Sequence, residues 1–436
     1  MSRRVLIITY YWPPSGGAGV QRWLKFVKYL PAFGWTPVVY TVKNGEYPVL
    51  DPSLEKDVPP GTEVIRRKIF EPYSWYKKFI GQNPEERINA GFLSESEKPS
   101  RKERMARWIR GNLFIPDARK FWIRPSIRFL TRYLKEHPVD VLVTTGPPHS
   151  MHLIGLGLKK RLNTPWIADF RDPWTNIDFY EELRLTRWAD RKHHRLEETV
   201  IKRADAIVSI SRTMQKEFES KGARASYYIP NGYDHEDFPQ TPLPHPEKFT
   251  LLHAGTLGPA RNPENLWKVL RDLVRDPEFE KALEIQLIGK IDISVKSSIE
   301  RYGLKKFTSF IPYLSHRELI VAERRAAVLL LLVNRSPNAK GILTGKLFEY
   351  LAIGRPILSI GPPDGEAAQI LEETKRGKTS FYDDQDDIRK NLWEYYRLWK
   401  ENDIFKSDNT TNYSRQLLSK EISELFFELT KQNHLS

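Results

Sequence analysis

Val5-Leu6-Ile7-Ile8-Thr9-Tyr10-Tyr11-Trp12-Pro13-Pro14-Ser15-Gly16-Gly17-Ala18-Gly19-Val20-Gln21-Arg22 is the stretch on which the fold reading turns. A short apolar run stops at two prolines, three glycines let backbone approach a ligand closely, and a helix-length pattern, Gln21–Leu30, begins at once. The N-terminus of such a helix offers free N–H groups to an anion, worth up to about 2 kcal/mol when partly buried. The glycine spacing is not that of a dinucleotide-binding turn, so NAD is not implied. Taken alone, the stretch reads equally as an ordinary tight turn or as a ligand loop.

The same alternation repeats along the chain. Apolar, β-branched runs at Val5–Ile8, Val38–Val42, Val139–Thr144, Trp166–Ala168, Ala206–Ile210 and Tyr227–Ile229 form one series. Thr250–Leu252, Ile285–Ile288, Phe307–Phe310, Val328–Leu331 and Pro356–Ser359 form a second. Helix-length patterns such as His149–Leu162, Ile293–Tyr302 and Ile388–Trp399 lie between them. Strand–helix–strand repetition gives a parallel, doubly wound α/β sheet, and two series give two Rossmann-like domains. The proline-rich stretch Asn231–Lys248 marks the hinge. The expected organisation is an N-terminal domain over 1–230 with a basic, aromatic insertion at about 70–125, a second domain over 231–410, and a C-terminal helix in 411–436. Within the insertion, Phe70–Arg104 reads as polar and loop-like.

The absence of cysteine removes disulfides, thiolate metal sites and cysteine nucleophiles together. The longest apolar run, Ala326–Val333, is far short of the roughly twenty residues a membrane span needs. Met1–Arg4 and the run after it lack a cleavage site and read as a buried first strand rather than a secretion signal; the expected location is the cytoplasm. The formal charge of +14 calls for an anionic partner, and it is concentrated. From Lys98 to Arg132 only Glu103 and Asp117 oppose a run of cations interleaved with Trp108, Phe114, Phe121, Trp122 and Phe129. Arg104, Arg107, Trp108 and Arg110 are candidate contacts to an anionic membrane face. Alternatively, the aromatics pack inward and the arginines form a solvated face.

The second series opens with His253-Ala254-Gly255-Thr256-Leu257-Gly258-Pro259-Ala260-Arg261, again strand, glycine turn and helix start, now with an arginine whose fork suits phosphate oxygens. Farther on, Leu343-Thr344-Gly345-Lys346-Leu347-Phe348-Glu349-Tyr350 opens a helix that Gly354 ends. Lys346 falls in its first turn, and Glu349, a turn after Gly345, is suited to accept from sugar or ribose hydroxyls. Asp383-Asp384-Gln385-Asp386-Asp387 has the composition of a metal-binding pair, but it precedes a helix, where carboxylates cap and favour the N-terminus.

Five motifs in order, Pro13–Gly17, Asp169-Phe170-Arg171-Asp172-Pro173-Trp174, Ile229-Pro230-Asn231-Gly232-Tyr233-Asp234, His253–Leu257 and Gly345–Leu351, resemble family 4 of the retaining glycosyltransferases over nearly the whole chain. The resemblance implies the GT-B fold, with the two domains facing a cleft and the C-terminal helix returning to the first. It implies a nucleotide-sugar donor bound mainly by the second domain, through Gly255, Thr256, Arg261, Lys346, Leu347 and Glu349, with Gly16 and Gly17 shaping the sugar side. His149 takes the place of a histidine that approaches the donor sugar, so His149, Arg261 and Lys346 are the candidate catalytic residues. Arg171 and Asp172 either orient the acceptor or, with Asp169, form a buried ion network. Family members carry two glutamates separated by seven residues; Glu349 fits the second, and the first falls on Gly341. The implied reaction is retaining, needs no metal or other cofactor, and delivers a sugar to a glycan or lipid-linked acceptor in cell-surface polysaccharide synthesis, with the enzyme at the inner membrane face and no nucleic acid bound. The competing readings are a nucleic-acid-binding protein, which no recognition signature supports, and an epimerase on the same fold.

Overall fold

The computed structural model describes residues 3–47, 49–71, 101–178, 180–402 and 409–435. The chain divides into two compact units, Met1–Pro230 with Arg415–Ser436, and Asn231–Ser414.

The first unit is built on a parallel sheet. Its strands are β1 (Arg3–Ile8), β2 (Trp35–Val42), β3 (Glu63–Arg67), β4 (Val141–Gly146), β5 (Trp166–Phe170), β6 (Ala206–Ser209) and β7 (Ser226–Tyr228). They lie in the order β3-β2-β1-β4-β5-β6-β7. Alternation along β1 divides the core: Leu6 and Ile8 face a layer with Trp122, Leu130 and Ile154, while Val5 and Ile7 face Val20, Leu24 and Val27. The second layer is completed from the far end of the chain. The helix Arg415–Leu435 buries Leu418, Ile422, Leu425 and Phe426 there, and Phe426 meets Trp35 edge-on at 5.1 Å. Each such side chain contributes about 1.5–3 kcal/mol. The C-terminal helix therefore returns to the first unit, starting at Arg415; Thr411–Tyr413 is a 3-10 turn of the second unit.

The second unit holds β8 (Phe249–Ala254), β9 (Leu283–Ile288), β10 (Thr308–Ile311), β11 (Val328–Leu332), β12 (Ile357–Ile360) and β13 (Gly377–Ser380), parallel, in the order β10-β9-β8-β11-β12-β13. Two strands are not legible in the sequence, β3 and β13, and both lie at sheet edges. Burial at an edge is incomplete, so Glu63-Val64-Ile65-Arg66-Arg67 and Gly377-Lys378-Thr379-Ser380 need no continuous apolar runs.

In both sheets the strand order reverses once, between β1 and β4 and between β8 and β11. The loops that leave these strands diverge there and open the crevice in which such sheets bind ligands. In the first unit those loops carry Tyr10–Gly19 and Pro147–His149; in the second, Gly255–Arg261 and Asn334–Thr344. Of the insertion, 72–100 lies outside the described residues; beyond it the chain forms two helices, Arg101–Leu113 and Lys120–Glu136.

Candidate donor-phosphate and sugar-side sites

In the second unit, β8 is followed by Gly255 in the left-handed region, with φ at 105°. A Cβ at this position would lie 2.6 Å from the Lys346 Nζ, so the absent side chain is what lets the ammonium rest against the turn. Lys346 stands in the first turn of the helix Gly345–Ile353. The residue before that helix, Thr344, makes no side-chain cap, so the N-terminal N–H groups have no side-chain acceptor there. Arg261, closing the 3-10 turn Pro259–Arg261, reaches across the strand-order reversal to donate from Nε to the Asn334 side-chain oxygen, and the Arg335 N–H donates to Ala260 O at 3.0 Å. Burial, then the neighbouring Arg261 charge, push the Lys346 ammonium down to about 8, with Glu349 and Glu323 opposing. Two cations and a helix N-terminus thus share one corner of the sheet.

The acids are arranged around the lysine. Glu349 is partly exposed, with Oε1 3.7 Å from His316 Nε2. Glu323, on the helix His316–Arg325, is 1 % exposed, and neither carboxyl oxygen has a hydrogen-bond partner among the described residues. Burial, with the Glu349 charge adding to it, pushes its carboxyl far up, against the Lys346 charge. Tyr350 OH accepts from the Ala254 N–H at 3.3 Å and ties the helix to β8. His253 is fixed beneath by Nδ1, which donates to Leu330 O at 3.0 Å; burial first, then Lys346, keep the ring uncharged. Thr256 is partly buried in the turn. The Leu347 side chain is wholly buried and its N–H donates to Thr344 O at 3.2 Å, so the side chain supports the helix. Gly341 ends a 3-10 turn, Ala339–Gly341, and supplies no side chain.

The acidic run does what its position before a helix suggests. Asp384 Oδ1 accepts from the Asp387 N–H at 2.9 Å and caps the helix Gln385–Lys400. Asp383 pairs with Arg335, and Asp387 accepts from Asn391 at 3.0 Å.

In the first unit, the Gly16 N–H donates to Val49 O at 2.9 Å, and Gly17, with φ at 86°, precedes the helix Ala18–Tyr29 without a side-chain cap. The open alternative at Asp169–Asp172 divides by residue. Asp169 is fully buried and fully engaged: Arg22 Nη2 at 2.8 Å, Trp23 Nε1 at 2.7 Å and the Thr145 hydroxyl at 2.7 Å all donate to it. Burial raises its carboxyl, but the Arg22 charge and these bonds outweigh it and hold the group below its ordinary value. Its partner is Arg22, which also donates to Ile229 O and Pro230 O at 2.9 Å each. Arg171 donates to Gly19 O at 2.7 Å and to Pro147 O, joining the two crevice loops, and Asp172 is exposed.

His149 precedes the helix Ser150–Lys159 without capping it. The cap comes from Asp117, whose carboxylate takes the Ser150 N–H and hydroxyl, each at 2.8 Å. The His149 imidazole stacks on the Trp174 indole with centroids 4.8 Å apart and planes at 4°. Burial, then His152 and Arg171, hold it well below its ordinary range, so it is neutral. His152 beneath it is wholly buried and hydrogen-bonded to the Thr144 hydroxyl at 2.9 Å.

The basic, aromatic segment is of two kinds. Trp122 stacks on Tyr40 in the core at 4.8 Å, and Arg119 is buried against Glu71 at 3.0 Å. Trp108, Met105, Leu113 and Phe121 are exposed, as is Arg104, while Arg110 is partly so; the Arg107 side chain lies outside the described ones. No helix among the described residues is long and apolar enough to cross a membrane.

Residues 90–237 match a family described as Glycosyltransferase Family 4, an interval that includes two of the five motifs, Asp169–Trp174 and Ile229–Asp234. No curated protein matches the sequence. Solved structures share the fold along the whole chain. A glycosyltransferase from Rickettsia africae is 14 % identical, with 99 % of each chain covered and a TM-score of 0.58. Sucrose-phosphate synthase from Thermosynechococcus elongatus is 13 % identical over 99 % of this chain and 100 % of that one, at 0.58. WaaG, described as a glycosyltransferase involved in lipopolysaccharide biosynthesis, is 14 % identical over 97 % and 99 %, at 0.55. Two parallel Rossmann-like units of the GT-B kind are what these structures have in common with the chain.

Proposed function

Because residues 90–237 of the chain match Glycosyltransferase Family 4, we propose that it is a retaining, metal-independent glycosyltransferase that moves a sugar from a nucleotide-sugar donor to a glycan or lipid-linked acceptor. The observation that carries this reading is the corner at Gly255, where Lys346 and Arg261 stand beside a helix N-terminus without a side-chain cap. When the bond between anomeric carbon and diphosphate breaks, negative charge grows on the leaving nucleotide. Fixed cations and N–H dipoles placed there stabilise that charge, typically by several kcal/mol per site. Glu349 is assigned to the ribose hydroxyls. His149, neutral and therefore able to accept a hydrogen bond, is assigned to the donor sugar. Gly341 gives the sugar no carboxylate, so its selection falls to other groups.

Retention follows from front-face attack. The acceptor hydroxyl forms its bond to the anomeric carbon on the face from which the diphosphate departs, and the leaving phosphate takes the hydroxyl proton. Such a step needs neither a carboxylate nucleophile nor a metal. Exposed Trp108 and Arg104 fit peripheral contact with an anionic inner membrane face, where each nearby cation adds about 1 kcal/mol. The likeness to WaaG is in keeping with a cell-surface glycan as the product's destination.

The test is transfer from an α-linked nucleotide sugar with chelator present. An α-linked product, with turnover lost at least a hundredfold in Arg261→Ala and Lys346→Ala, is the expected result. Normal turnover in either variant, or a β-linked product, overturns the proposal.

A further inference from the structure

The loop after β5 is gripped by the helix Arg187–Arg203 through two buried residues one turn apart. His193 accepts at Nδ1 from Trp174 Nε1 at 3.1 Å. Glu197 takes the Thr175 N–H at 3.2 Å and the Thr175 hydroxyl at 2.6 Å, and is itself held by Lys221 Nζ at 2.8 Å. An indole N–H can only donate, so the His193 lone pair sits on Nδ1 and its proton on Nε2. Nε2 faces Gly111 O at 3.4 Å, which accepts that proton's hydrogen bond. The tautomer is set from both sides.

What the grip controls is the ring above it. His149 makes no cap to its own helix, and its Nδ1 is buried without a partner among the described residues. Its plane is therefore fixed by ring contacts: Trp174 at 4.8 Å, with His152 at 5.8 Å and Phe170 at 6.0 Å farther off. Of these only Trp174 lies parallel in close stacking, and Trp174 is held at its N–H by His193.

We infer that His193 and Glu197 are positioning residues for sugar transfer: they pin the Trp174–Thr175 loop and so set the plane of the His149 imidazole, and only the neutral, Nε2-protonated form of His193 does this. The inference rests on the assignment of His149 to the donor sugar. A second proton on His193 would turn Nδ1 into a donor facing the Trp174 N–H, break the bond and release the indole. The groups around His193 come from every neighbouring element: Asp117 before the helix Lys120–Glu136, Asp190 and His194 on its own helix, His149 across the Trp174 ring, and Tyr180, whose ring centroid lies 6.2 Å away. Burial outweighs the Gly111 bond and the two carboxylates and keeps the imidazole below its ordinary range, which favours the neutral form.

The experiment compares wild type with His193→Leu, which has no acceptor for the indole, and His193→Asn, whose side-chain oxygen replaces Nδ1 and does not titrate. Turnover and donor KM are measured from pH 5 to 8, and the His193 tautomer is read by long-range ¹H–¹⁵N correlation of the imidazoles. His193→Leu is expected to lose kcat at least tenfold with donor KM within twofold. His193→Asn is expected to recover most of it and to flatten the acid limb. The wild-type ring should show the Nε2–H tautomer. Should His193→Leu fail to fold, the Asn profile and the tautomer decide. A Nδ1–H or doubly protonated His193 at neutral pH, or His193 variants with wild-type kcat and acid limb, overturns the inference alone. A folded wild type that turns over no donor overturns instead the functional reading on which it rests.

Discussion

Replacing Lys346 with methionine removes the ammonium while keeping most of the side chain's length. A hydrogen bond to a charged group is worth about 1.5–3 kcal/mol, which corresponds to nucleoside diphosphate binding roughly 10- to 150-fold weaker. The wild-type lysine carries its own pH signature. Its folded pKa is lowered from the ordinary 10.5 to about 8, so the charge that meets the phosphate is lost as pH rises through that value. If only the ammonium form binds, the dissociation constant rises about tenfold between pH 7 and pH 9. The stability of the ligand-free protein moves the opposite way. Between about 8 and 10.5 the unfolded chain binds the extra proton, so this group adds stability as pH rises across that window. Calorimetric titration with UDP, GDP, dTDP and CDP across pH 6.5–9.5, repeated in buffers of different ionisation enthalpy, measures both the affinity and the proton taken up near pH 8. Lys346→Met should bind weakly at every pH and take up no proton. Wild-type affinity that is flat across the range, or Lys346→Met binding as tightly as wild type, refutes the placement of phosphate at this corner.

Asp169→Ala leaves the buried Arg22 guanidinium without its counter-charge and should cost about 3–5 kcal/mol, read from the urea midpoint; a loss under about 1 kcal/mol contradicts the buried network. Asp384→Ala removes a helix cap and should cost about 1 kcal/mol with turnover unchanged in chelator or in added divalent metal, whereas metal-sensitive turnover that the substitution abolishes would mark Asp384 as a ligand. Arg104→Glu with Trp108→Ala should lose binding to anionic vesicles while keeping turnover on a soluble acceptor, and unchanged sedimentation with vesicles would exclude this face.

Both sheets are legible in the sequence because central parallel strands are buried on two faces and are rich in apolar residues, as Val328–Leu332 is throughout and Val141–Gly146 is over Val141–Val143, with the Thr144 and Thr145 hydroxyls hydrogen-bonded where it is not. The edge strands β3 and β13 escape because that requirement lapses at an edge. At the Gly255 corner, Gly255, Arg261 and Lys346 stand out because glycine turns and helix starts are local signals. Glu323, His193 and Glu197 carry no such signal. Each reads as one more polar residue on an amphipathic helix, and its surroundings arise from contacts across the fold: Glu197 reaches Thr175 and Lys221, 22 and 24 residues away. Asp117 reads as a lone acid among cations, yet it caps the helix after His149 from 33 positions away. Arg22 is visible in the opening stretch, but its partner Asp169 lies 147 residues on, so sequence proximity points to Arg171 instead.

Binding of a nucleotide sugar at the Gly255 corner is tested most directly by thermal denaturation of the purified protein with UDP-, GDP-, dTDP- and CDP-linked sugars in the presence of chelator, alongside Arg261→Ala. A ligand at a hundred times its dissociation constant stabilises by about 2.7 kcal/mol, a readable shift. Donors of one base should stabilise wild type, and that stabilisation should be lost in Arg261→Ala. No stabilisation by any donor, or an equal shift in Arg261→Ala, would contradict a donor site at this corner.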